Sequence, residues 1–273
     1  MRARELLKDA QRRLTASGSP DPGADAQWLL SDALRVPRGA LALLLDGEVA
    51  GEALDWFLRA LARRESGEPL QYVEGFAWFY GRKFRVDSRV LIPRSDTETL
   101  CEAALKKLRP GMRALDLGTG SGILAITFQL EVPGASVTGA DVSFEALEVA
   151  RENGAALGAN VTWAQGDLFG AVSGAFDLVA CNPPYLTGAD MRCLQPEVAR
   201  EPKLALYGGA DGLAFYRRIA EELPEVLNPG GTALFEVGLG QAGAVAEMLR
   251  PLGAVETAKD LSGADRVVIV ERV

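Results

Sequence analysis

From Leu91 onward, short apolar runs alternate with helical stretches, and this alternation limits the fold more than any other feature of the chain. The runs lie near residues 113–117, 136–141, 161–164, 176–181, 231–237 and 266–271, with helical patterns between most of them. Strands that alternate with helices predict a doubly wound α/β sheet, with ligands bound beyond the carboxyl ends of its strands. Residues 91–273 are therefore expected to form one catalytic-type domain. Upstream, apolar spacings of three and four over residues 2–15, 23–35, 38–46 and 51–66 predict a small helical bundle spanning 1–66. Gly67-Glu-Pro-Leu70 breaks that pattern, and residues 71–80 and 82–87 read as two short strands around Gly81. Residues 67–90 are thus expected to be a β-hairpin linker.

The first expected strand-to-helix turn reads Asp116-Leu-Gly118-Thr119-Gly120-Ser121-Gly122. Glycines there allow a sharp turn and let a ligand approach backbone N–H groups at a helix start. The spacing is G-x-G-x-G, which differs from the dinucleotide pattern. Asp116, just before the loop, suits a cationic amino-acid moiety better than a pyrophosphate. Asp141 ends the next strand, where a carboxylate can accept from both ribose hydroxyls. Asp167 follows a third strand and is placed to accept from an adenine amino group, with Leu168 flanking the ring. The set points to an adenosyl cofactor.

A second motif, Asn182-Pro183-Pro184-Tyr185, follows the apolar run Phe176–Cys181. The lone pair of an amide or aromatic amine nitrogen is delocalised, so such a nitrogen is a poor nucleophile. Acceptors aimed at its N–H hydrogens favour charge development on it as a methyl group arrives. The Asn182 side-chain oxygen and the Pro183 carbonyl are suitable acceptors, and the two prolines restrict the turn. Tyr185 can pack on the flat substrate group and hold it in line. Asn182, Pro183 and Tyr185 are the expected catalytic residues, and Asn182 to Tyr185 the expected substrate site. The reading is methyl transfer to nitrogen.

Composition narrows the chemistry further. The chain has no histidine, which removes His-based nucleophilic catalysis and His-ligated metal sites. Its three cysteines, Cys101, Cys181 and Cys193, have no metal or pairing pattern, so no metal is expected and a reducing cytoplasm fits. No apolar run is long enough for a membrane span, and the amino terminus lacks a signal-peptide core. Residues 1–66 carry ten basic and ten acidic side chains, leaving 19 basic and 27 acidic in the rest, which leans against a polyanionic partner.

The chain resembles the protein-(glutamine-N5) methyltransferases that modify peptide chain release factors, the PrmC/HemK family. Beyond the two motifs, Gly67-Glu-Pro-Leu-Gln-Tyr72, Gly75-Phe-Ala-Trp-Phe-Tyr-Gly81, and Val90-Leu-Ile-Pro-Arg94 with Thr97-Glu98 carry the resemblance. So do Glu197-Val198, Glu201-Pro202, Ala205-Leu206, the run 208–213, Phe235-Glu-Val-Gly238 with Gln241, and Asp260-Leu-Ser-Gly263 with Asp265-Arg266. The resemblance implies a class I Rossmann-like fold that uses S-adenosylmethionine and releases S-adenosylhomocysteine. It implies, as substrate, the glutamine of the Gly-Gly-Gln loop of bacterial class I release factors, and a monomeric enzyme with an amino-terminal substrate-docking domain. Carried over by position, Gly118 to Gly122, Asp141 and Leu168 line the cofactor site, Asn182 lies near the cofactor, and Arg94, Thr97 and Glu98 shape its entrance or cover it.

Two departures stand out. Ser95-Asp96 replace a Pro-Glu pair, which keeps the charge and loses a proline. Leu168 stands where an aromatic residue can occur, exchanging ring stacking for apolar contact. Glutamine methylation of a ribosomal protein would use nearly the same site. DNA adenine-N6 methylation shares the Asn-Pro-Pro-Tyr turn but calls for base flipping and a basic cleft, which the charge balance disfavours.

Overall fold

The computed structural model describes residues 1–273 and divides into two compact units. One comprises Met1–Phe76 with Gln195–Arg200, the other Ala77–Leu194 with Glu201–Val273.

The first unit is helical: α1 (Ala3–Ser17), α2 (Pro22–Leu34), a 3-10 segment (Arg38–Leu44), α3 (Gly51–Glu65) and a short α4 (Leu70–Glu74). Ala3, Leu6, Ala10 and Leu14 recur at three- and four-residue intervals and are buried with Leu29, Leu30, Phe57 and Leu61. Pro22 opens α2, and the Asp21 side chain accepts from the Ala24 N–H at 3.1 Å. Arg64 is a charged residue inside this apolar unit. It is 3% exposed and donates to Asp25 at 2.8 Å and to Glu197, so burial of its charge is matched by two carboxylates. The segment 71–74, expected as strand, is helical. Adjacent Tyr72 and Val73 are both buried, which one broad helix face allows and the alternating faces of a half-buried strand do not.

The hairpin itself is present as β1 (Phe76–Phe79) and β2 (Arg82–Arg85). Its two-residue turn, Tyr80-Gly81, has positive φ at both positions (48° and 72°), the geometry that matches strand twist.

The second unit is built on a seven-stranded sheet of β3 (Arg113–Leu117), β4 (Ser136–Asp141), β5 (Thr162–Gln165), β6 (Phe176–Cys181), β7 (Leu227–Glu236), β8 (Gly253–Lys259) and β9 (Asp265–Arg272), in the order β5-β4-β3-β6-β7-β9-β8. Strands β3 to β7 are parallel, while β9 runs antiparallel to β7 and to β8. Helices α5 (Asp96–Lys107), α6 (Ile123–Glu131), α7 (Phe144–Leu157), α8 (Ala214–Val226) and α9 (Ala242–Leu249) complete it.

Side chains alternate between the two faces. Leu178 and Ala180 join the core that includes residues of α5 and α6, whereas Val179 and Cys181 join the core that includes residues of α8 and α9. Strand β8 had no clear sequence signal. It is an edge strand carrying Glu256 and Lys259, and most of its positions are exposed, so it lacks an apolar run. The chain leaves β3 in one direction through β4 and β5, then returns to add β6 on the other side of β3. That reversal is the switch point where such sheets bind ligands. No helix is long and apolar enough to cross a membrane.

Candidate active site

A cavity open to solvent on one side lies at this switch point. Leu117 and Gly118 at the end of β3, Ala140 and Asp141 at the end of β4, and Cys181 and Asn182 at the end of β6 line it.

The glycine loop forms its floor through backbone. Gly118 and Thr119 both donate N–H to the Ala140 carbonyl, at 2.8 and 2.9 Å, which locks the loop to β4. Gly118 and Gly120 have φ of 74° and 54°, and a Cβ at either would meet no atom within 4 Å. The loop therefore presents bare peptide to the cavity. Asp141 accepts from Gly120 N at 2.9 Å on one oxygen and from Ser143 N at 2.9 Å on the other, so its carboxylate is fixed in direction. Burial raises its pKa, while these backbone donors oppose the rise.

Of the ten residues expected around a cofactor, Gly118, Gly120, Asp141, Asp167, Leu168 and Asn182 line the cavity, and Asp116, Thr119, Ser121 and Gly122 do not. Asp116 is turned beneath the loop instead. Its carboxylate accepts from the Thr119 hydroxyl at 2.5 Å and from Ala125 N at 3.0 Å, tying the strand end to α6. A side chain so placed organises the loop and does not face an amino-acid moiety in the cavity. Asp167 has one oxygen accepting from Arg218 at 2.8 Å and remains largely exposed at the rim. Leu168 adopts φ of 46°, unusual for a residue with a Cβ, beside the buried Phe169.

Several wall residues were given no site role by the sequence: Arg89, Leu91, Pro202, Leu204 and Phe215. Of these, the residues near 89–91 and those at 202–204 come from segments far apart in sequence that meet through Glu201. This carboxylate is 1% exposed, accepts from Ile92 N at 3.0 Å and pairs with Arg94. Arg94 thus acts by holding two wall segments together. Thr97 and Glu98, expected near the entrance, lie elsewhere. Glu98 accepts from Tyr80 N at 2.7 Å, and Thr97 is 2% exposed beneath Asn182. Asp96 supplies a charge, in an ion pair with Arg266 at 3.3 Å. Asn153, also unforeseen, ties the hairpin to the loop by donating to the Ser121 carbonyl at 2.9 Å and accepting from Arg85 N at 2.7 Å.

The turn after β6 is held at three points. Asn182 Nδ2 donates to Thr97 Oγ1 at 3.1 Å. The Tyr185 carbonyl accepts from Gln241 Nε2 at 3.0 Å, and Leu186 N donates to the Leu206 carbonyl at 2.9 Å. Pro183 and Pro184 line the cavity. Tyr185 packs beside them with its ring against Gly238, where a Cβ would approach the ring to 3.0 Å. Burial, with Glu236 nearby, pushes the Tyr185 phenol up to about 12, so it stays protonated.

Behind Asn182 lies Glu236, at the end of β7 and fully buried. Neither of its carboxyl oxygens closes a hydrogen bond of ordinary geometry. Burial raises its pKa to about 7, and the Thr97 hydroxyl, Arg266 and the Asn182 amide only partly offset that, against the added effect of Asp96. A carboxyl with a folded pKa above its ordinary 4.5 keeps a proton that the unfolded chain releases. Stability is therefore lost as pH rises from about 4.5 to about 7. In Glu236→Gln this loss is removed. The unfolding free energy of the variant relative to the parent is expected to rise by on the order of 3 kcal/mol across that window, measured by urea denaturation at each pH. A flat difference would place the carboxyl in a solvated setting.

Known proteins match this chain over most of its length. A family model described as the PrmC N-terminal domain matches residues 5–75, and one described as the methyltransferase small domain matches residues 95–201. A Geobacter sulfurreducens protein named release factor glutamine methyltransferase is 41% identical over 269 residues, covering 97% of this chain and 95% of its own. A Deinococcus radiodurans protein of the same name is 41% identical over 278 residues, covering 100% and 99%. Among solved structures, a methyltransferase from Pyrococcus furiosus superposes with a TM-score of 0.55 at 22% identity, over 80% of this chain and 96% of that one, which speaks to the fold.

Proposed function

The chain belongs to the family of release factor glutamine methyltransferases, and from that premise we propose how its cavity and its Asn182 turn carry out the reaction. The enzyme transfers a methyl group from S-adenosylmethionine to the side-chain amide nitrogen of the Gly-Gly-Gln glutamine of class I release factors, leaving S-adenosylhomocysteine. When bound, the cofactor supplies a methyl group made electrophilic by its sulfonium sulfur. The bare backbone of Gly118 and Gly120 gives it close approach. Asp141 has lone pairs left on both oriented oxygens for ribose hydroxyls. Leu168 and Phe215 offer apolar walls to the adenine, and the free oxygen of Asp167 accepts from its amino group.

The observation that carries the substrate side is the orientation of Asn182. Its nitrogen is engaged by Thr97, which leaves the side-chain oxygen as the acceptor facing the cavity. That oxygen and the Pro183 carbonyl accept from the two hydrogens of the substrate amide. Developing positive charge on the nitrogen is then stabilised where it forms. Tyr185, protonated and packed against Gly238, holds the amide plane. No strong base is needed, because the methylated nitrogen is acidic enough to release its proton afterwards.

The helical unit is proposed to dock the release factor, and the reaction to take place in the cytoplasm on a monomer. The test is mass spectrometry of purified release factor incubated with this protein and S-adenosylmethionine. One added methyl group, mapped to the Gly-Gly-Gln glutamine, is expected. Cofactor binding without transfer would move the substrate elsewhere.

A further inference from the structure

The buried Glu236 carboxyl has no role in the chemistry described so far, yet it sits against the residue on which that chemistry depends. From α5 come Thr97 and Asp96, from the end of β6 comes Asn182, and from β9 comes Arg266. Tyr216 of α8 donates its hydroxyl to the Glu236 backbone carbonyl at 2.7 Å and so does not serve the side chain. Arg266 is committed elsewhere, to Asp260 at 3.1 Å, Asp96 at 3.3 Å and the Val237 carbonyl at 3.1 Å. The carboxyl is left with two neutral donors, Thr97 and Asn182.

Those two are already bonded to each other. Thr97 Oγ1 accepts from Asn182 Nδ2 at 3.1 Å, so the hydroxyl proton of Thr97 must be directed at another acceptor. The second Nδ2 hydrogen of Asn182 needs one too. Glu236 lies beside both and has two buried oxygens without a formed bond.

We infer that Glu236 is a positioning residue for methyl transfer: acting directly and through Thr97, it holds the Asn182 amide with its nitrogen inward and its oxygen toward the substrate. The inference rests on the reaction proposed above. An asparagine amide can flip by 180° at little cost in shape. Flipped, Asn182 would present N–H donors to the N–H hydrogens of the substrate amide, and the acceptor on which the reaction relies would be lost. Once the carboxyl is ionised, above about pH 7, its buried pair of acceptor oxygens behind the nitrogen prevents that reversal. Burying a carboxyl is costly to stability, and a well-packed apolar residue at the end of β7 would avoid the cost. Its presence fits a task set by Asn182.

The experiment pairs a kinetic readout with one that does not require turnover. The chain has four asparagines, Asn153, Asn160, Asn182 and Asn228, so labelling with [15N]asparagine gives few side-chain amide signals, and Asn182→Ala identifies the one of interest. In the parent protein the Asn182 NH2 pair is expected to be protected from hydrogen exchange. Measured above about pH 7, where Glu236 is ionised, Glu236→Gln keeps the volume but replaces one acceptor oxygen with a donor, and Thr97→Val removes the bridging hydroxyl. Each is expected to expose the pair to exchange and to lower kcat by about 10²-fold, with cofactor Kd within about twofold of the parent. Thr97→Ser keeps the hydroxyl and is expected to restore both readouts. Because the residues act as a unit, the double variant is expected to be about as impaired as the worse single one.

Parent-like kcat in Glu236→Gln, or losses that multiply in the double variant, would overturn the inference. If Glu236→Gln does not fold, the Thr97→Val and Thr97→Ser pair decides, since unchanged exchange and kcat in Thr97→Val would equally sink it. A parent protein that moves no methyl to release factor would refute the proposed reaction, while the amide-exchange readout would still report on the positioning.

Discussion

Asn182→Ala is expected to lower kcat for methylation of release factor by about 10² to 10³-fold, the usual cost of deleting one directed group that stabilises developing charge. The substitution removes the acceptor oxygen facing the cavity and leaves the remaining anchors of the turn, the Gln241 bond to the Tyr185 carbonyl and the Leu186–Leu206 bond, in place. Cofactor affinity should change little, because Asn182 is one of many residues lining the cavity. The measurement is single-turnover methyl transfer at saturating cofactor, beside calorimetric binding of S-adenosylmethionine. Turnover near that of the parent would mean that the Pro183 carbonyl alone suffices and that the role given to Asn182 is wrong.

The second large effect is expected at Asp141. Its carboxylate fixes Gly120 and Ser143, and in the proposed reaction it has a second purpose, offering acceptors to the ribose. Hydrogen bonds to a charged group contribute about 1.5–3 kcal/mol each, so loss of two toward the ligand would weaken binding by about 10² to 10⁴-fold. Asp141→Asn separates the two purposes. It keeps one acceptor oxygen and should lose less affinity than Asp141→Ala, and calorimetry on both variants reads the difference. Equal affinity in all three proteins would remove the ribose assignment.

What was legible in the sequence was local. The glycine loop, the strand ends at Asp141 and Asn182, and the helical bundle each depend on residues adjacent in the chain, and their turn chemistry or periodicity is visible there. Relations between distant residues were not visible. The resemblance put Thr97 at the entrance or over the cofactor, but α5 carries it beneath Asn182, 85 residues away in sequence. Asp116 has the type and position of a ligand residue. Only the fold reveals that its carboxylate turns under the loop toward Thr119 and Ala125. The Leu91 and Pro202 walls meet through the buried Glu201, a pairing that no spacing rule encodes.

The sheet also acts as a ruler. Leu117 of β3 is paired with Ala140 of β4 on one side and with Cys181 of β6 on the other. Asp141 and Asn182 are each the next residue along, so they stand level on either side of the central strand, about 10 Å apart at the usual spacing between strands. The gap between the group proposed to grip the methyl donor and the group proposed to grip the acceptor is thus set by backbone ladders rather than by any loop. Loops around the site can lengthen, shift or change sequence to suit a different partner while that gap stays the same. Warming should likewise leave the spacing intact until the ladder itself opens, so catalytic competence and the integrity of the sheet should be lost together.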